Sequence, residues 1–195
     1  TYNGVAVISK TAPADPVLEF PGFDDPQRRV LATTIDGVRV VNLYLPNGSE
    51  VGSEKYDYKL RWLATLRDFL EDEMSRHDDL VVLGDFNIAP ADEDVYDAEK
   101  WGDAILCSPK EREALGRLLD LGLTDVFRKF DQPEKAFSWW DYRAAGFRRN
   151  AGLRIDLVLT SDTMTERCQA SYVDKEPRAW ERPSDHAPVI AEFAM

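Results

Sequence analysis

The sequence predicts an α/β protein, with strands and helices layered against one another. Three observations carry that prediction. Val38–Tyr44 and Leu80–Gly84 read as strands and the segment between them, Glu54 to Arg76, as one long helix; strand, helix, strand is a crossover unit. Leu80-Val81-Val82-Leu83 is a continuous apolar run, the pattern of a strand buried on both faces. Asp36-Gly37 separates the β-rich runs Val30–Ile35 and Val38–Val41, a two-residue hairpin signal.

Taken in order, the chain enters an apolar strand at Gly4–Lys10, turns at Pro13–Pro16, and forms a short strand at Val17–Phe20. A loop to Arg29 leads into the hairpin, whose second strand ends in Tyr44-Leu45-Pro46-Asn47-Gly48. Ser53 caps the long helix, and Leu60, Leu63, Leu66, Leu70 and Met74 make its apolar face. Glu71, Asp72, Glu73, Asp78 and Asp79 read as its solvated side, with His77 at the C-terminal end where a cation is favoured. Ala91–Ile105 is acidic and irregular. Ser108-Pro109-Lys110-Glu111 is a capping box with proline at the first helical position, Leu115, Leu118 and Leu119 form the stripe, and Gly122 ends the helix. Leu123–Phe127, Leu153–Thr160, Cys168–Val173 and Val189–Phe193 complete the strands.

The 195 residues suffice for one domain, 1–195, and 44% hydrophobic with 31% charged residues is a soluble, globular composition. No apolar run is long enough to span a bilayer, and no signal peptide is seen. Cys107 and Cys168 lack metal-ligand spacing and read as reduced thiols of a cytoplasmic protein. Two histidines exclude a His-rich zinc site, whereas 36 acidic residues suit a hard cation held by oxygen. The net charge of −12 argues against a non-specific nucleic-acid coat and leaves room for a local basic face.

Chemistry collects at strand ends, where open α/β sheets bind ligands. Asp85 and Asn87 follow the buried strand at i and i+2, so on extended backbone their side chains leave on one side. They read equally as a site and as turn chemistry. Asp156 is an acid inside an apolar run and needs a partner. His186, flanked by Asp185, reads as an acid–base group or as a satisfied loop histidine. Phe137-Ser138-Trp139-Trp140-Asp141-Tyr142-Arg143 places aromatics beside Arg143, Arg148, Arg149 and Arg154, which predicts core aromatics and an exposed basic loop suited to nucleic acid. Several carboxylates, an amide, a tyrosine and one histidine, without a Ser or Cys nucleophile motif, suit metal-assisted attack of water on a phosphodiester.

Leu45-Pro46-Asn47-Gly48, Gly84-Asp85-Phe86-Asn87-Ile88-Ala89-Pro90, Phe137–Arg143, Gly152-Leu153-Arg154-Ile155-Asp156 and Ser184-Asp185-His186-Ala187-Pro188 occur in this order. Together they resemble the exonuclease III family of DNA-repair nucleases, within the endonuclease/exonuclease/phosphatase superfamily. The resemblance implies a DNase I-like, four-layered α/β sandwich: two mixed sheets face to face with helices outside. It implies Mg²⁺- or Mn²⁺-dependent 3′→5′ exonuclease activity on double-stranded DNA, cleavage at abasic sites, and a monomer. Carried over, Asp85 activates water or protonates the leaving oxygen, and Asn87 orients it. Tyr44 and Asn47 contact the scissile phosphate. His186 binds phosphate and Asp156 orients His186. Asp185 belongs to the metal region, and Arg29 and Arg143 contact DNA. The match begins at Tyr2-Asn3-Gly4-Val5-Ala6. The chain is thus expected to lack the family's first strand–helix–strand unit and its main metal-ligand glutamate. That implies weaker metal binding and an exposed sheet edge, and leaves open whether the chain alone is active or inactive. Two rivals share some of these residues: a superfamily phosphatase acting on inositol or sphingolipid phosphoesters, and a non-catalytic DNA-binding module.

Overall fold

A computed structural model describes residues 4–194; Tyr2 and Asn3 lie outside them. A six-stranded mixed sheet runs β1-β2-β3-β4-β6-β5. Its strands are β1 (Ala14–Val17), β2 (Val30–Ile35), β3 (Val38–Tyr44), β4 (Leu80–Asp85), β5 (Thr124–Asp125) and β6 (Asp156–Thr160). The β3–β4 pair is parallel and joined through α1 (Glu54–Arg76), as the crossover requires; the other pairs are antiparallel. A second, two-stranded antiparallel sheet pairs β7 (Cys168–Val173) with β8 (Val189–Phe193).

The layers follow from the two faces of β3, β4 and β6. On one face Val41, Leu43, Leu80, Val82, Leu157 and Leu159 pack against Leu63, Leu66 and Leu70 of α1 and Leu115 and Leu118 of α3 (Pro109–Leu119). On the other, Val38, Val81 and Val158 meet Val189, Ala191 and Phe193 of β8. Helix, sheet, sheet is therefore the order through the molecule. The short helices α2 (Ala98–Trp101) and α4 (Asp162–Arg167) flank this core.

The hairpin forms as expected, with Asp36 at φ 50° and Gly37 at φ 87°. Ser53 accepts from the Tyr56 amide and caps α1. Gly84 is obligatory: at φ +136° an added Cβ would lie 1.9 Å from the Leu43 carbonyl oxygen.

Several expectations are corrected. Gly4–Lys10 is extended but has no ladder partner among the described residues; Asn42 Nδ2 donates to the Ala6 carbonyl at 2.8 Å instead. The short strand is Ala14–Val17 rather than Val17–Phe20, because Phe20 leaves the sheet to pack edge-on against Trp62 at 4.8 Å. Of Leu123–Phe127 only Thr124–Asp125 is strand, and a 3₁₀ turn, Val126–Lys129, follows. β6 starts at Asp156, not Leu153, because Leu153 bridges to Val95 and Trp139. Ala91–Ile105 contains a 3₁₀ turn and α2. Glu73 does not face water: it is fully buried and pairs with Arg39 of β3. Arg154 leaves the expected basic loop and is buried against Asp94 at 2.6 Å and Asp125 at 2.8 Å. Both cysteines are free and buried. Among the described residues no helix is long and apolar enough to cross a membrane.

Candidate active site

Strand register assembles the site. Tyr44 of β3 lies beside Asp85 of β4, and Asp85 beside Asp156 of β6. Three adjacent strands thus present a phenol and two carboxylates in one row at one sheet end.

Asp85 is held from the turn after β4. Its Oδ1 accepts the Asn87 amide at 2.8 Å, and its Oδ2 accepts Asn87 Nδ2 at 3.0 Å. Asn87 is at φ 48°, so the two side chains meet through a left-handed turn and not along extended backbone. This corrects the geometry expected from the sequence and joins its two readings: the turn chemistry builds the site. Asn87 Nδ2 also donates to the Leu45 carbonyl at 2.9 Å, while its Oδ1 accepts Asn47 Nδ2 at 3.1 Å. With those bonds made, Asn87 positions Asp85 and Asn47.

Across the row, Asp156 Oδ2 lies 2.8 Å from His186 Nδ1 and accepts from Ser138 Oγ at 2.6 Å. The Ile155 and Asp156 amides donate to the same Ser138 oxygen at 3.1 Å each. Ligand atoms of Asp85, Asp156 and His186 lie within 4.8 Å of one another.

The electrostatics follow from this crowding. Burial first, and the neighbouring Asp156 charge second, push the Asp85 carboxyl up to about 7. Burial disfavours the charged His186 ring, but the Asp156 hydrogen bond and charge, helped by Asp85 and Asp185, outweigh it and raise the imidazole to about 9. His186 is therefore an imidazolium at neutral pH, its charge lost as pH rises through about 9. Asp156→Asn should bring that value down toward or below the ordinary histidine range of about 6.5, since burial remains when its main opponent is gone. NMR titration of the His186 ring in both forms reads this directly. Equal values in the two would remove Asp156 as the partner.

The other four expected residues lie outside this cluster. Asn47 is exposed at its rim. Arg29 is buried, donates from Nη1 to the Tyr44 carbonyl at 2.9 Å, and lies 4.7 Å from the Tyr44 ring centroid, so it supports Tyr44 from beneath. Asp185 Oδ2 accepts Trp139 Nε1 at 2.9 Å; it anchors the His186 loop and is not one of the clustered ligands. Arg143 is 89% exposed and forks onto Asp141, with Nη2–Oδ2 at 2.6 Å.

Sequence reasoning missed Lys59 and Glu111. Lys59 Nζ donates to the carbonyls of Asn87 at 2.7 Å and Asn47 at 3.1 Å, and pairs with Glu111; both side chains are fully buried. Glu111 also accepts the Ser108 amide at 3.1 Å, as the capping box requires. A signal was present: Lys59 falls three residues after Tyr56 and four before Leu63, on the buried helix face. Ser138 was quoted within a motif, but nothing in its type marked it as the hub under Asp156.

The Endonuclease/Exonuclease/phosphatase family matches residues 1–186. Exodeoxyribonuclease III of Haemophilus influenzae is 37% identical over 98% of this chain and 77% of its own length. This chain belongs to the endonuclease/exonuclease/phosphatase family, in its exodeoxyribonuclease III branch. Membership makes it a phosphodiester hydrolase of the DNA-repair nuclease type. Among solved family structures, a Neisseria 3′ phosphatase, NExo, bound to a product DNA hairpin, is 52% identical with a TM-score of 0.94, over 96% of this chain and 73% of that one. An AP endonuclease from Archaeoglobus fulgidus is 35% identical with a TM-score of 0.88, over 94% and 72% of the two chains.

Proposed function

We propose that the site hydrolyses phosphoesters of double-stranded DNA at 3′ ends and at abasic sites, with Asp85, Asp156 and His186 as its chemical centre and a divalent cation as cofactor. The observation that carries this is geometric: Asp85 and Asp156 stand opposite each other on adjoining strands, His186 is bonded to Asp156, and the ligand atoms of all three lie within 4.8 Å of one another. The similar structures named as a 3′ phosphatase bound to a DNA hairpin, a 3′-5′ exonuclease and an AP endonuclease support the substrate.

The residues suit a hard cation. Asp85 and Asp156 stand side by side, and the burial and repulsion that raise Asp85 are what a bound positive charge relieves. These two carboxylates would hold it, and Mg²⁺ or Mn²⁺ would supply charge to the phosphate oxygens. His186, with Nδ1 held by Asp156, is assigned the role of donor to the phosphate.

Chemistry then divides as follows. A water oxygen bonds to phosphorus, the bond to the leaving oxygen breaks, and one proton moves from the water to that oxygen. Asp85, held by Asn87 and not by the Ser138–His186 pair that holds Asp156, takes or gives it. His186 donates to a non-bridging oxygen, where negative charge grows. Asp156 and Ser138 hold His186 in place. Tyr44 and Asn47 face the phosphate from the opposite side of Asp85, and Arg29 sets the Tyr44 ring.

Arg143 is proposed to reach a backbone phosphate by exchanging Asp141 for it. Arg143→Ala should weaken DNA binding and reduce the slope of log affinity against log salt by about 0.9, one phosphate contact, with little change in the rate on saturating DNA. Dissociation constants at several salt concentrations decide this; an unaltered slope would leave Arg143 as a loop residue bonded to Asp141. The protein is further proposed to act as a monomer in the cytoplasm.

A further inference from the structure

Beside His186 lies an open cleft that the proposed chemistry does not use. It is lined by Pro177, Trp180, Pro183, His186 and Pro188, among others. Trp180 is 62% exposed and Tyr142 61%, the two most exposed aromatic rings among the described residues. Water is an unfavourable setting for so much ring surface, and the chain places one ring by its backbone and the other by its hydroxyl. The 3₁₀ turn Pro177–Ala179 delivers Trp180, and the Trp180 amide donates back to the Pro177 carbonyl at 3.2 Å. The Tyr142 hydroxyl donates to the Pro183 carbonyl at 2.7 Å, which ties that ring to the wall of the same cleft. Arg178 is buried behind it, with its guanidinium carbon 5.1 Å from the Tyr142 ring centroid and 4.9 Å from that of Phe147. Exposed Arg182 lines the cleft, and exposed Arg143 follows Tyr142 in the chain.

We propose that Trp180, with Tyr142 tied to the Pro183 wall of its cleft, is a stacking shelf that takes an unpaired nucleobase of the DNA strand next to the phosphate under attack. Three features favour a base over any other occupant. The rings are flat and solvent-facing, every base has a π-face, and stacking on aromatics is how unpaired bases are held without sequence preference. The cleft is continuous with His186, so a nucleotide whose phosphate meets His186 has its neighbour within reach of the shelf. The lining includes exposed Arg182, suited to the backbone of the same strand. The shelf adds affinity where the base next to that phosphate is unpaired. It rests on the DNA reading proposed above.

The test is binding without cleavage, in EDTA. Two duplexes are compared that differ only in a two-nucleotide 3′ tail: one tail carries bases, the other has the same backbone without bases. Wild type should bind the base-bearing tail more tightly and quench tryptophan fluorescence on doing so. Trp180→Ala should lose about 5- to 150-fold in affinity for that tail, the usual range for one stacked base, and bind the baseless tail as wild type does. Trp180→Phe should restore most of the preference. If wild type binds both tails equally, or Trp180→Ala keeps the preference, the shelf is refuted while the DNA reading stands. If neither duplex binds wild type, the DNA reading itself fails and the shelf with it.

Discussion

Asp85→Asn should lower turnover of a DNA phosphoester by about two to four decades, the usual cost of a lost acid–base group, while the DNA stays bound. Asparagine keeps the outline of Asp85 and can still accept the Asn87 amide, so the turn after β4 survives. What it cannot do is exchange a proton. Before a cation binds, burial and Asp156 raise the Asp85 carboxyl to about 7, well above an ordinary aspartate near 4. Binding should hold or strengthen, since a negative charge facing the phosphate is removed. Single-turnover rates and anisotropy titrations of the complete protein separate the two effects. An unchanged rate would take Asp85 out of the chemistry; joint loss of rate and binding would make it a structural residue.

Lys59→Met should destabilise the fold and slow the reaction together. The change strands a fully buried Glu111 carboxylate and leaves the Asn47 and Asn87 carbonyls without their donor. Breaking one side of a buried ion pair costs about 3–5 kcal/mol. At about 2–4 °C per kcal/mol for a chain of this size, the melting midpoint should fall by about 6–20 °C. The activity loss has a separate origin: Lys59 fastens the Asn47 loop to the Asn87 turn, and those side chains meet at 3.1 Å. Lys59→Met combined with Glu111→Gln removes the stranded charge and should recover much of the midpoint without recovering the rate. A single variant with wild-type melting would mean that water or local rearrangement satisfies Glu111.

The elements legible in sequence were those whose signals are local. The helix Glu54–Arg76 is announced by Ser53 and by leucines on one face, and the hairpin by Asp36-Gly37. Strand β4 is announced by four apolar residues, and Asp85 and Asn87 stand at its end. The His186–Asp156 pair was legible through the family resemblance and through the cost of an acid beside an apolar run. What stayed hidden depends on partners distant in sequence. Glu73 reads as one more surface acid until Arg39, thirty-four residues away, lies beneath it. Arg154 reads as part of a basic loop until Asp94 and Asp125 enclose it. Residues 4–10 have the composition of a strand, but forming one requires a ladder partner that composition does not supply. Ser138 shows the same limit at the site: a serine among aromatics gives no sign that it accepts two amides and holds Asp156.

The central claim is that this arrangement cuts DNA with a divalent cation, and one comparison tests it most directly. The complete protein is given a duplex with a single abasic site and, separately, an inositol phosphate, each with Mg²⁺ and with EDTA. The account predicts scission of the duplex at the abasic site with Mg²⁺, none in EDTA, and no phosphate released from the inositol compound. Release of phosphate from inositol with the duplex intact, or scission that proceeds equally in EDTA, would contradict it.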